Sequence, residues 1–192
     1  MFIYTTVYHN PVSNLSEGTI TFSNIFIHKI NQQNSKVVLD LELALCTTIL
    51  TDVSLAKYNP SMQTIHDMEK TWQNILRNND SFLGYYSIWK KVDYTNQYEV
   101  IGLIHIYALE NDNNISFAFW VLPLHQRKGY GTQIVKFIIN HCKSIRKYKK
   151  LEALVHINNI PSNKIMQHNG FTLVEKNKLI RGFVANKYIL NL

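Results

Sequence analysis

The chain has 192 residues, of which 46% are hydrophobic, 12% aromatic and 17% charged. This length and composition suit one compact domain over 1–192, and they exclude collagen-like, low-complexity and largely disordered classes. Lys and Arg number 20 against 13 Asp and Glu, which gives a formal charge of +7. Such a charge favours anionic ligands, either a phosphorylated cofactor or a nucleic acid.

The cysteine spacing and the hydropathy pattern exclude further classes of protein. The two cysteines, Cys46 and Cys142, form no CxxC pair, so we expect neither a disulfide framework nor a metal site. Residues 1–14 lack a basic segment followed by an apolar run. The longest apolar stretch, 115–124, has about half of the roughly 20 residues that cross a bilayer. We therefore expect a cytoplasmic protein with no membrane partner.

The first third of the chain predicts one strand and two helices. Residues 19–30 are β-branched and aromatic, which predicts a strand. Apolar residues at helical spacing predict a helix at Val37, Val38, Leu41, Leu45 and Ile49. A second helix, capped by Ser61, carries a further apolar stripe. Its members are Ile65, Met68, Trp72, Ile75 and Leu76.

Three strands are predicted next, as an antiparallel meander. Residues 82–90 and 98–109 flank a polar turn at 93–97, and the third strand is 115–122. A helix over 130–146 and a strand over 151–157 complete a β-loop-α-β unit.

The end of the chain predicts a short helix and a hairpin. Pro161 and Gly170 mark the start and end of a helix over 161–169. The hairpin pairs 171–176 with 180–190 around a turn at Asn177-Lys178.

A glycine-containing loop separates the third strand of the meander from its helix. It reads Gln126-x-x-Gly129-x-Gly131 after Pro123. Glycines let a backbone approach a bulky anion, and the N-terminus of the following helix adds a favourable dipole. Arg127 and Lys128 supply positive charge at the rim. A plain tight turn remains the alternative interpretation, and the loop is neither a P-loop nor a dinucleotide fingerprint.

This loop resembles the Q/R-x-x-G-x-G/A signature of the GNAT N-acetyltransferase superfamily, and Trp120-Val121-Leu122-Pro123 looks like the fourth strand of that family. A second motif follows at a similar separation. Asn159-x-x-Ser162, Ile165 and Gly170-Phe171 are similar to the ending of the ribosomal-protein N-acetyltransferase branch. The resemblance covers roughly 98–190.

The resemblance implies a GNAT-like α/β (α+β) fold, with a mixed, mainly antiparallel central sheet that contains a splayed strand pair and is flanked by helices. It also implies acetyl-CoA as co-substrate, with its pantetheine arm between the splayed strands and its pyrophosphate on the glycine loop. The cofactor-binding residues so implied are Val121, Leu122, Pro123, Gln126, Arg127, Lys128, Gly129, Tyr130, Gly131, Thr132, Asn159 and Ser162.

Three catalytic roles follow from the same resemblance. The backbone N–H of Val121 polarises the thioester carbonyl, Asn159 binds pantetheine or positions a water, and Ser162 protonates the departing thiolate. Two structural alternatives stay open. Asn159 could be an ordinary turn residue, and Ser162 could cap its helix.

The sequence departs from the family pattern at two positions. Met166 stands where many members have a tyrosine, and Ser116 stands where the ribosomal branch often has a glutamate. The general base is therefore unassigned. His105 is a candidate because histidine titrates near neutrality, although a hydrogen-bonded structural histidine is favoured.

The predicted function is transfer of an acetyl group to a primary amine, either an α-amine or another amine of a protein, by direct attack on the thioester. A non-catalytic acyl-CoA-binding module is one alternative. Another is an enzyme directed to a tRNA- or ribosome-linked amine, for which the basic run 143–150 offers Tyr148 for stacking. We favour a solvated helix end for that run. We also expect α-amines to be preferred over polyamines, and either a monomer or a homodimer.

Overall fold

The computed structural model describes residues 8–9, 20–22, 25–30, 36–51, 58, 68–77, 82–92, 94, 97–109, 113–180 and 182–192. Within these residues the chain forms four α-helices, nine strands and one short 3-10 helix (Pro123–His125). The α-helices are α1 (Lys36–Thr51), α2 (Met68–Arg77), α3 (Tyr130–Ile145) and α4 (Ile160–His168). The strands are β1 (Tyr8–His9), β2 (Ile20–Phe22), β3 (Ile25–Lys29), β4 (Gly84–Lys91), β5 (Gln97–Ala108), β6 (Asn114–Val121), β7 (Lys150–His156), β8 (Thr172–Ile180) and β9 (Phe183–Asn191).

One sheet contains all of these strands, in the order β2-β3-β4-β5-β6-β7-β9-β8, with β1 paired to β5. Every neighbouring pair is antiparallel except β6 and β7, which are parallel. The helix α3 connects these two parallel strands. The mixed, mainly antiparallel sheet expected from the sequence is therefore confirmed.

The two faces of the sheet carry different helices because neighbouring side chains on a strand point to opposite faces. On β5, Ile104 and Ile106 pack in the cluster that contains the buried face of α3 and Met166 of α4. Leu103 packs instead in the cluster that contains Leu45 of α1 and Trp72 of α2. We call these the α3/α4 face and the α1/α2 face.

A buried polar group fastens α1 to its face of the sheet. Glu42 of α1 is fully buried. Its carboxylate accepts a hydrogen bond from the Ser87 hydroxyl (2.6 Å) and lies 3.1 Å from Nδ1 of His28. Trp89 donates its indole N–H to Ser87 (2.8 Å). The network gives this buried carboxylate the partners that a buried charge requires.

Most predicted elements of the first half are confirmed. Helix α1 buries Val38, Leu41, Leu45 and Ile49, and α2 buries Trp72 and Ile75. The predicted cap Ser61 and the stripe position Ile65 lie outside the described residues. The single strand predicted over 19–30 was wrong, because β2 and β3 form two short antiparallel strands with Ile20 opposite Ile27.

The predicted turn of the last hairpin was also wrong. Asn177 has a left-handed backbone (φ 55°), but it lies inside β8, where the register shifts between Glu175 and Lys178. Its N–H is bound by the side chain of Asn186 on β9 (3.2 Å). Asparagine tolerates this conformation in turns and bulges alike, so a bulge produced the same local pattern as a turn.

Candidate active site

A wedge-shaped gap opens between β6 and β7. The two strands pair only through their first three residues, from Asn114 opposite Lys150 to Ser116 opposite Glu152. Beyond this point β6 continues to Val121 and β7 to His156 without pairing to each other. The Ser116 hydroxyl donates to the Glu152 carbonyl (3.1 Å) at the base of the gap. This is the splayed strand pair that the resemblance implied.

The backbone of Val121 faces the gap. Leu122 donates its N–H to the carbonyl of Ile101 on β5 (2.9 Å). Successive N–H groups on a strand point to opposite edges, so the N–H of Val121 points away from β5 and toward β7. Gln126 donates its side-chain amide to the Val121 carbonyl (2.9 Å) on the same edge. The N–H of Leu122 is thus committed to the sheet, whereas that of Val121 is directed into the gap.

The glycine loop has the backbone of an anion-binding turn. Arg127 and Gly129 both have left-handed conformations, with φ of 60° and 82°. The first hydrogen bond of α3 runs from Gln133 N–H to the Gly129 carbonyl (3.2 Å), and no side chain of the described residues caps the helix. The amides of residues 129–132 precede that bond, and together with the helix dipole they form a positive concavity.

The side chains of this loop divide between solvent and core. Arg127 and Lys128 are exposed, as is Pro123, whereas Tyr130 is 7% exposed and packs in the α3/α4-face cluster. An added Cβ on Gly129 would meet no atom of the described residues within 4 Å, but one on Gly131 would lie 2.8 Å from Cδ1 of Ile165. Gly129 is therefore the glycine that leaves room for a ligand, and Gly131 is the one that lets α3 approach α4.

Asn159 and Ser162 lie at the start of α4, directly after β7. Asn159 is the N-cap, and its side-chain oxygen accepts the backbone N–H of Ser162 (3.3 Å). The capping role considered for Ser162 thus belongs to Asn159. Within the described part of the chain the Ser162 hydroxyl makes no hydrogen bond. It lies one turn before Ile165, whose side chain contacts the α3 N-terminus, so both residues occupy the same face of α4.

Asn163 holds this region together, and the sequence interpretation missed it. Its side-chain amide donates to the carbonyls of His156 (3.0 Å) and Asn159 (2.8 Å). Its side-chain oxygen accepts from Asn186 (2.8 Å) and from the Tyr188 hydroxyl (2.9 Å). One buried side chain therefore joins α4 to the end of β7 and to the middle of β9.

The two departures from the family pattern have structural consequences. Met166 is 1% exposed and belongs to the core, so it offers no proton donor. Ser116 is 3% exposed and fastens β6 to β7 through its bond to Glu152. Neither position supplies an acid or a base.

His105 lies on the α1/α2 face in an aromatic stack. Its ring is 3.9 Å from that of Tyr85, with the two planes 6° apart, and 5.0 Å from that of Tyr107. Burial lowers the pKa of His105 to about 4. The ring makes no hydrogen bond to the described residues, so the expected hydrogen-bonded histidine is instead a stacked one. With this pKa His105 is neutral at pH 7 but a weak base.

The basic run 143–150 offers no aromatic ring for stacking on a base. Tyr148 is 6% exposed, and its ring stacks on Phe82 at 5.3 Å. Lys143, Arg146 and Lys147 are exposed near the end of α3, where cations complement the helix dipole. The stacking role considered for Tyr148 is wrong, and the run is a charged helix end.

Among the described residues no cluster of three or more His, Cys, Asp or Glu side chains could hold a metal ion. None of the described helices is long and apolar enough to cross a membrane.

Solved structures with this fold include enzymes that bind coenzyme A. A ribosomal L7/L12 alpha-N-protein acetyltransferase in complex with coenzyme A is 17% identical, with a TM-score of 0.70 over 91% of this chain and 98% of that one. The microcin C7 self-immunity acetyltransferase MccE, in complex with acetyl-CoA and AMP, is 14% identical, with a TM-score of 0.70 over 94% and 99%. A spermidine N-acetyltransferase from Vibrio cholerae, in complex with CoA and spermine, is 13% identical, with a TM-score of 0.65 over 88% and 95%.

Comparison with curated proteins gives no match. The family profile of the acetyltransferase (GNAT) domain, in contrast, matches residues 37–172. This match confirms the acetyltransferase class and the acetyl-CoA co-substrate that the loop and the Asn159 motif indicated. Because it extends over well more than half of the sequence, this chain belongs to the acetyltransferase (GNAT) family.

Proposed function

We propose that this chain moves an acetyl group from acetyl-CoA directly to a primary amine, most simply the α-amine of a protein. The observation that carries the proposal is the gap between β6 and β7, into which the N–H of Val121 is directed. A pantetheine arm in this gap pairs with β6 as a strand does. The thioester carbonyl then accepts the Val121 N–H, which stabilises the oxyanion that forms on attack.

The anionic part of the co-substrate belongs at the glycine loop. The amides of residues 129–132 and the left-handed turn at Arg127 and Gly129 suit a pyrophosphate. Arg127 and Lys128 are exposed, and they neutralise phosphate charge at the rim. Gln126 contributes by joining the loop to the end of β6 through the Val121 carbonyl.

The chemistry at the thioester needs two proton transfers and no covalent intermediate. The amine nitrogen forms a bond to the acetyl carbon, the carbon–sulfur bond breaks, and the amine loses one proton to solvent. The thiolate receives its proton from the Ser162 hydroxyl, which makes no hydrogen bond to the described residues, and solvent returns a proton to the serine oxygen. Asn159 positions this serine by accepting its backbone N–H.

The absence of a strong base among the candidate residues favours an acceptor that is already partly neutral. The pKa of His105 is about 4 because of burial. An α-amine, with a reference pKa of about 7.7 to 8.0, is roughly one tenth neutral at pH 7, whereas a lysine at about 10.4 is less than about one thousandth neutral. The net charge of +7 also disfavours a polycation. We place the reaction in the cytoplasm, since Cys46 and Cys142 are both free thiols.

A non-catalytic acyl-CoA-binding module is the second candidate. The buried Met166 at the family's tyrosine position and the low pKa of His105 both favour it.

Thiol release from acetyl-CoA distinguishes the two candidates. The assay offers the protein a peptide N-terminus, a lysine side chain with a blocked α-amine, and spermidine. An enzyme releases thiol in step with acetylated amine, fastest with the peptide N-terminus. A binding module retains acetyl-CoA and releases no thiol with any amine. Should spermidine be the best acceptor, the inference from charge is wrong.

A further inference from the structure

A histidine that the mechanism above does not use stands at the end of β7. His156 is half-buried, and its ring lies near two aromatic side chains. The ring of Phe183 lies 6.2 Å away with its plane 6° from that of the histidine, and the ring of Tyr58 lies 5.4 Å away. Aromatic neighbours at these distances restrict the orientation of the imidazole.

His156 belongs to the α1/α2 face of the sheet. Leu151, Ala153 and Val155 alternate along β7 and are buried in the α3/α4-face cluster, so His156 points to the opposite face. Its neighbour Tyr58 lies in the segment between α1 and α2, which agrees with this side. Trp120 of β6 packs with α1 and α2 on the same face.

The register of the two parallel strands puts His156 across the gap from the proposed thioester position. Paired residues differ by 36 positions (150 minus 114). The same offset, continued past the paired part, sets His156 level with Trp120 and one residue before Val121. An amine that approaches the acetyl carbon from the α1/α2 face therefore passes the imidazole of His156.

The hydrogen bond that His156 receives fixes what its ring can offer. Asn158 donates its backbone N–H to Nδ1 of His156 (3.0 Å). An acceptor nitrogen carries a lone pair, so the proton of the neutral ring is assigned to Nε2. Nε2 makes no hydrogen bond to the described residues, so His156 has a donor available for a ligand and is not the missing general base.

The nearest carboxylate on this face of β7 is already paired. Glu152 lies 2.9 Å from the ammonium of Lys187 and accepts from Asn114 at 3.5 Å. Within the described parts of β6 and β7 this face thus offers an N–H donor and no free carboxylate. A polycation gains nothing from such a surface, whereas an oxygen acceptor does.

We propose that the Nε2–H of His156 binds the carbonyl oxygen of the residue that carries the attacking α-amine, and so selects peptide N-termini over amines without that carbonyl. This inference rests on the proposed function. His156 is a positioning residue, because it orients the acceptor and exchanges no proton with it. A peptide N-terminus has its carbonyl on the carbon next to the amine, and alkylamines and polyamines have none.

The test compares a tripeptide with the alkylamine that matches its first residue but lacks the carbonyl. His156→Phe keeps an aromatic ring against Phe183 and removes the donor, and His156→Gln returns an N–H near the position of Nε2. His168→Phe, at an exposed position in the last turn of α4, is the matched control.

The expected result is a change in selectivity that follows the donor. The ratio of kcat/KM for tripeptide over alkylamine falls about 3- to 10-fold in His156→Phe, as expected for one hydrogen bond, mainly through the KM of the tripeptide. His156→Gln recovers part of the ratio, and His168→Phe keeps it. An unchanged ratio in His156→Phe, or the same fall in His168→Phe, overturns the inference and leaves the acetyltransferase proposal intact.

A binding measurement separates the inference from the proposed function. If the wild-type protein releases no thiol with either amine, the proposed function fails. Calorimetry of the tripeptide with the protein–CoA complex then measures the same contact without turnover. If the tripeptide binds His156→Phe more weakly than it binds the wild type, the contact is supported. If it binds both proteins equally, or does not bind the wild type, the inference is overturned.

Discussion

The substitution Gly129→Ala separates the ligand role of the glycine loop from its structural role. Gly129 has φ of 82°, and a Cβ there would meet no atom of the described residues within 4 Å. The added methyl therefore clashes with none of the residues that the structure describes. It does occupy the open side of the turn, where the pyrophosphate of coenzyme A is proposed to contact the amides.

The cost to folding comes from the backbone alone. A left-handed conformation costs a residue with a Cβ about 1–2 kcal/mol. For a domain of this size that corresponds to a fall in Tm of roughly 2–8 °C. Gly182 has φ of 85° and equally open surroundings, but it lies in the turn between β8 and β9. Gly182→Ala is thus a matched control with the same expected loss of stability.

Only Gly129→Ala should weaken coenzyme A binding. A hydrogen bond to a charged group contributes about 1.5–3 kcal/mol, so the loss of one phosphate contact corresponds to roughly 10- to 100-fold in Kd. Calorimetry with CoA, at a temperature where both variants are folded, measures this difference. Equal CoA affinity in the two variants would refute the assignment of the pyrophosphate to this loop.

Three further predictions test the neighbouring residues. Ser162→Ala should lower kcat roughly 100-fold, as expected for the loss of a proton donor. CoA affinity and Tm should stay near wild type, because the helix cap uses the backbone N–H of Ser162 and the side chain of Asn159. An equal loss of stability in calorimetry and of activity in kinetics would indicate a structural role. Asn163→Leu should lower the free energy of unfolding in urea by about 2–4 kcal/mol, since it removes the acceptor shared by the Asn186 amide and the buried Tyr188 hydroxyl. A change below about 1 kcal/mol would contradict the network. Burial lowers the pKa of His105 to about 4, so the unfolded state binds a proton before the folded state does, and the free energy of unfolding falls as the pH falls from about 6.5 toward 4. Urea titrations over this range should show that the free energy of unfolding of His105→Phe falls by up to about 3 kcal/mol less than that of the wild type. Equal falls in the two proteins would contradict the depressed pKa.

The β-loop-α-β unit could be predicted from the sequence because its local patterns agree with one another. Pro123, Gly129 and the apolar face of the following helix all mark the same boundaries, and the structure has β6, α3 and β7 within one residue of the prediction. The sequence pattern was ambiguous at Asn177, because the same left-handed backbone occurs in turns and in β-bulges. Asn177 adopts the left-handed backbone of a turn residue, but β9 continues to pair on both sides of it.

The parts of the site that depend on distant residues could not be predicted. Asn163 looks like an ordinary helix residue until Asn186 and Tyr188 of β9 are brought to it. His156 can be recognised as a candidate site residue only from the register of β6 with β7 and from its contact with Tyr58. The one available clue was alternation, since His156 continues the face of β7 opposite to Ala153 and Val155.

The central claim is that the protein transfers an acetyl group to an α-amine from acetyl-CoA bound in the gap between β6 and β7. The most direct measurement offers the protein isotope-labelled acetyl-CoA and one peptide with both a free N-terminus and an internal lysine at pH 7. Thiol release is counted, and fragmentation in the mass spectrometer locates the label. The account predicts one thiol released per peptide acetylated, with the label on the α-amine. Label on the lysine, or bound acetyl-CoA without thiol release, would contradict it.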